Sequence, residues 1–72
     1  MTEQEFVEKI KEDVFDTERN ISLDMVLKDM DEWDSLSFVS FIAMAKELGI
    51  TQVTRDAVNS AVTVRDLFEL LH

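Results

Sequence analysis

Apolar residues recur along this chain at helical spacing. Phe6, Ile10 and Val14 fall four apart, with Val7 beside them, and Glu and Lys fill the opposite positions. That spacing lays one apolar stripe along a helix over about residues 3–15. Thr2 and Glu5 supply a T-x-x-E capping box at its start. A second helix is predicted over about 35–48, with Asp34 as N-cap. Gly49 sits where a glycine after the C-cap belongs, and Ile50 follows as a hydrophobic clamp. A short third helix over about 55–60 takes Thr54 as N-cap. A fourth, over about 64–71, opens on a T-x-x-D box of Thr63 and Asp66, and Val64, Leu67, Phe68 and Leu71 keep the i, i+3, i+4, i+7 pattern.

Residues 16–34 hold no sustained period. They read as a long loop with a helical turn near 22–28, pinned to the core by Ile21, Leu23, Val26, Leu27 and Met30. A loop that long in a small domain is uncommon unless it carries function. The second helix is apolar around most of its surface. Phe38, Phe41, Ile42, Ala45 and Leu48 can face inward, which leaves Leu36, Val39 and Ala43 near the opposite side. So small a domain cannot cover both sides, and an exposed apolar stripe suggests docking.

Length and composition narrow the picture. Seventy-two residues fit one domain, 1–72, with a modest core and little room for an internal cleft. The absence of cysteine removes disulfides, thiol nucleophiles and cysteine-based metal sites. No proline and a single glycine suit an all-α fold. No apolar run nears the roughly 20 residues of a membrane span, and the acidic, amphipathic N-terminus is unlike a secretory signal. A soluble, cytoplasmic monomer is therefore expected, without membrane insertion. The net charge of −9 repels nucleic acid and anionic lipid and attracts basic proteins. Charge that only confers solubility is the plainer reading of such a balance. Its distribution is uneven: residues 1–34 hold twelve acids and four bases, residues 35–72 four acids and three bases.

The acidic half ends at Ser35, within Asp31-Glu32-Trp33-Asp34-Ser35-Leu36. A serine in the first turn of an apolar helix presents its hydroxyl to solvent, and free N–H groups at that helix end favour an attached phosphate. Asp34 and Ser35 alone could be simple caps. Taken with chain length, charge, helix order and the long first loop, the stretch Asp34-Ser35-Leu36, the helical run Ser37 to Leu48 and the Gly49-Ile50 exit resemble the acyl carrier protein family. The resemblance covers essentially the whole chain. It implies a four-helix bundle with a long loop after helix one and a short helix three. It implies that Ser35 receives 4′-phosphopantetheine from coenzyme A through a magnesium-dependent phosphopantetheinyl transferase, and that the arm's thiol then carries an acyl group as a thioester. Asp34 and Leu36 flank the attachment point. The stripe of Leu36, Val39 and Ala43 matches the helix-two face on which the family meets its enzymes.

The chain departs from the family pattern in places. Glu32 stands where a glycine is common, and Trp33 replaces a usually small residue. Ser37, Ser40 and Lys46 occupy helix-two positions that often bear acids on the partner face, and only Glu47 stays acidic there. Asp29, Asp31, Glu32 and Asp34 crowd the loop instead. The expected docking set is thus Asp29, Asp31, Glu32, Trp33, Leu36, Val39, Ala43 and Glu47, serving basic acyl-loading and acyl-transferring enzymes of a specialised pathway. Packing over the loop and core edge is an equal reading of Trp33. Phe38 and Phe41 read as core, and the resemblance also puts them beside the cavity for an acyl chain. Met25, Met30 and Met44 read as core fillers.

Other chemistries fit less well. A serine hydrolase needs a base beside its nucleophile, and the single histidine is the terminal His72. A calcium loop begun at Asp29 places Asp34 where glycine is required and Ser40 where a glutamate is required, so no metal site is expected. Two alternatives stay open: an aminoacyl or peptidyl carrier, and a helical interaction module with no prosthetic group.

Overall fold

The computed structural model describes residues 1–71. Among them are four α-helices and no strand, so the fold class is all-α: α1 Glu3–Asp13, α2 Ser35–Glu47, α3 Arg55–Ser60 and α4 Val64–Leu70. His72 lies outside the described residues.

Each helix start follows from a local cap. The Thr2 hydroxyl accepts from the Glu5 N–H at 3.1 Å, and the Glu5 carboxylate accepts from the Thr2 N–H at 2.9 Å. Thr63 and Asp66 repeat that box at α4, and the Thr54 hydroxyl accepts from the Ala57 N–H at α3. The end of α2 is a Schellman turn. Gly49 takes φ +80°, its N–H donates to Lys46 O at 3.0 Å, and the Ile50 N–H reaches Ala45 O at 2.9 Å.

The first helix stops two residues short of its apolar pattern. Val14 is its C-cap, and Asp16 takes a left-handed φ of 49°. The chain therefore turns after Phe15, yet Val14 and Phe15 both stay buried. The long loop is held at several points. Ile21, Leu23, Leu27 and Met30 are buried as the sequence suggests. The helical turn expected near 22–28 falls later, as a 3-10 turn at Leu27–Asp29. Just before it, Val26 forms an antiparallel bridge with Thr63. Leu27 N–H donates to Val62 O at 2.9 Å, and Val64 N–H donates to Met25 O at 3.0 Å. The loop is thereby stitched to the link between α3 and α4.

One core joins these parts. Phe6 and Ile10 of α1, Phe41 and Ala45 of α2, Val58 of α3, and Val64 and Leu67 of α4 are almost wholly buried in it. Phe6 and Phe68 pack with ring centroids 5.1 Å apart. Met30 and Met44 fill the core and Met25 packs at its edge. Two sequence assignments on α2 change. Leu48 was expected inward and is 41 % exposed: it is the C-cap at the very end of α2, and Ile50, just past the Schellman turn, packs against the core. Ser37 was expected on the partner face and is only 5 % exposed. It sits one turn before Phe41 on the inward side, with its hydroxyl satisfied.

Candidate functional site

The start of α2 is built by the residues just before it. Asp34 has an extended backbone, and its carboxylate accepts from the Ser37 N–H at 3.0 Å and the Ser37 hydroxyl at 3.2 Å. The Ser37 hydroxyl also donates to the carbonyl of Glu32. These bonds fix the first turn of α2 to the end of the loop. The backbone N–H of Ser37, before any other donor, holds the Asp34 carboxyl below the usual aspartate range.

Ser35 stands at the first position of that turn and is exposed. Among the described residues its hydroxyl has no hydrogen-bond partner, whereas Ser37, two residues on, has two. The two serines have opposite characters because α2 turns one inward and one outward. Leu36, beside Ser35, is 78 % exposed.

Ser35 lines an open groove of about 440 Å³. Its lining also takes in Trp33, Asp34, Phe38 and Val39 around the start of α2, and Arg55 and Asn59 of α3. Trp33 is half-buried. It meets Phe15 edge-on at 6.2 Å and Phe38 at a tilt, also at 6.2 Å. It therefore packs over the core edge, as one of its two readings has it, and also lines the groove. Phe38 is half-buried beside it, and Phe41 is fully buried below.

The remaining residues singled out from sequence fall into two groups. Val39 is 53 % exposed, Ala43 and Glu47 are exposed, and with Leu36 they lie along one ridge of α2. Beyond the ridge, away from Ser35, Ala43 and Glu47 border a second hollow with Glu12 and Asp13 of α1. Asp29 and Asp31 are exposed on the loop.

Glu32 differs from the other loop acids. Its two oxygens accept from Arg19 Nε at 2.7 Å and Arg19 Nη2 at 2.9 Å, a bidentate pair across thirteen residues. That bond, first among its influences, holds the Glu32 carboxyl below the usual glutamate range. Glu32 is thus a loop fastener, and its charge is already matched. Of the three loop acids in the expected docking set, Asp29 and Asp31 are left without an ion pair among the described residues.

Arg55 and Asn59 were not singled out in the sequence. They are twenty or more residues from Ser35, on a helix whose pattern speaks only of its buried Val58. One signal was present: Arg55 is the first residue of α3, an end where a helix disfavours a cation.

Four capping or paired carboxyls share a depressed pKa. In Glu32 the main cause is Arg19, in Asp34 the Ser37 N–H, in Glu5 the Thr2 N–H, and in Asp66 the Val62 N–H. A depressed folded-state pKa adds stability above the unfolded value and loses it as pH falls through the folded value. Relief of self-repulsion acts in the opposite direction, since the chain carries −9 at neutral pH. Thermal midpoints should therefore rise on mild acidification and fall steeply below about pH 4. Glu32→Gln should shallow that acid limb. A midpoint that climbs without a break to about pH 3 would show that the caps contribute nothing.

Among the described residues no helix is long and apolar enough to cross a membrane, and no group of three or more acidic or histidine side chains could hold a metal ion. No protein-family model, curated protein or solved structure matches the chain.

Proposed function

We propose that the chain is a carrier protein of the acyl-carrier type, with a 4′-phosphopantetheine arm on Ser35. The carrying observation is the free, exposed hydroxyl of Ser35 at the head of a capped helix, after a long anchored loop. Helix order, the brief α3 and the Asp34-Ser35-Leu36 sequence support the same reading. The residues suit the group. The hydroxyl is open to a visiting transferase, no carboxylate among the described residues accepts from it, and the groove beside it is lined by apolar side chains and, among the described residues, one cation.

In the loading step the Ser35 oxygen bonds to the phosphorus of coenzyme A that bears the pantetheine. The bond from that phosphorus to the nucleotide half breaks, the nucleotide bisphosphate leaves, and the hydroxyl proton passes to the transferase. The arm supplies a thiol on which cargo rides as a thioester. Asp34 and Ser37 hold the turn that presents the oxygen, and Leu36 extends into solvent beside it.

Partners on this reading are a phosphopantetheinyl transferase and acyl-loading and acyl-transferring enzymes with basic faces, in the cytoplasm. Their apolar contacts would fall on the ridge of Leu36, Val39 and Ala43. Asp29 and Asp31 would steer them, an effect on association rate more than on affinity. Asp29→Lys with Asp31→Lys should slow transfer several-fold at low salt and little at high salt. Equal rates at both ionic strengths would remove the loop acids from docking.

The deciding experiment is intact mass after incubation with coenzyme A and a broad-specificity transferase. A gain of one phosphopantetheine is the expected result. No gain with several transferases would leave the second reading, an interaction module that binds one partner through the ridge, which the exposure of Leu36 and Val39 favours.

A further inference from the structure

The chain has three arginines. Arg19 is engaged by Glu32, and Arg65 reaches Glu3 at 3.4 Å and Asp24 at 4.0 Å. Arg55 has no ion pair among the described residues, although acids outnumber bases in the chain by sixteen to seven. It lies in the groove of Ser35. Its place at the first position of α3 gains nothing from the helix, whose N-terminal end repels positive charge.

The groove pairs that cation with Asn59, one turn further along α3, and is lined as well by Trp33, Phe38 and Val39. The arrangement is a charged head, an amide that can donate and accept, and an apolar wall. A chain that joins an anion, a branched hydrocarbon and amides finds a partner for each of its parts there. Those are the successive parts of a phosphopantetheine arm.

We infer that Arg55 and Asn59 hold the first segment of the arm against the body of the protein. This rests on the carrier reading. Arg55 pairs with the phosphodiester next to the Ser35 oxygen. The hydrocarbon lies along Val39 and Trp33, and Asn59 meets an amide. Arg55 acts as a positioning residue: it sets the direction in which the arm leaves α2, along α3 and away from the hollow beside α1. The groove is open, so the pairing is of the exchangeable, solvent-exposed kind, and a docking enzyme can replace it.

The test uses the full isotope-labelled chain, before and after loading with coenzyme A and a transferase, with loading established by intact mass. On loading, the Arg55 Nε–H and Asn59 side-chain amide resonances shift. The phosphorus resonance of the arm differs between loaded wild type and loaded Arg55→Ala, with Arg55→Lys in between. Added salt moves the wild-type resonance toward that of Arg55→Ala. A full mass gain with these resonances unmoved overturns the inference and leaves the carrier reading standing. The absence of any mass gain overturns both.

Discussion

Ser35→Ala should lose the whole phosphopantetheine mass gain and leave the fold unchanged, while Ser37→Ala should keep the gain and weaken the fold. The two residues stand two apart and differ in which way α2 turns them. Ser35 is exposed and its hydroxyl has no partner among the described residues. Its removal costs no hydrogen bond, so the stability change should stay within about 0.5 kcal/mol. Ser37 is 5 % exposed and ties α2 to Glu32 and Asp34. Its loss should cost about 1 kcal/mol. Intact mass and urea denaturation on the same two samples read both effects. A mass gain that survives in Ser35→Ala would place the modification elsewhere and end the proposal as stated.

Phe41→Ala should bring the protein close to unfolding. Phe41 is 0 % exposed at the centre of the one core that all four helices share. Truncating a buried phenylalanine costs about 3–5 kcal/mol. A chain of this length holds about 4–11 kcal/mol in total. The loss is thus between about a quarter and all of the stability, and the urea midpoint should fall by about a quarter or more. Leu36→Ala, on the same helix but 78 % exposed, should move it by no more than about 0.5 kcal/mol. Equal losses in the two variants would mean that the inward and outward faces of α2 are assigned wrongly.

What sequence could disclose was local. Thr2 with Glu5, Asp34, Thr54, and Thr63 with Asp66 are caps within four residues of what they cap, and each helix begins where they place it. Gly49 likewise announced the end of α2. The end of α1 was less legible, because Val14 and Phe15 keep the apolar pattern after the backbone has left the helix. Burial alone drives that pattern, and Asp16 makes the turn that preserves it. Contacts between distant residues left no local trace. Nothing near Glu32 indicated Arg19, nothing near Val26 indicated Thr63, and nothing near Ser35 indicated Arg55. Ser37 was misplaced for a different reason: the family pattern put it on the partner face, whereas its spacing from Phe41 and Ala45 sets it on the inward side.

Glu32 has a consequence for how a visitor would meet this surface. Its side chain clasps Arg19 near the start of the loop, and its carbonyl takes the hydroxyl of Ser37 on α2. One residue thus knots a lasso and moors it to the helix. The disorder of that segment is surrendered during folding, so on the carrier reading a partner enzyme would not have to freeze a waving strand before it could grip. Recognition here would proceed as rigid bodies meeting, and severing the knot should show first as slower encounters rather than as a lost fold.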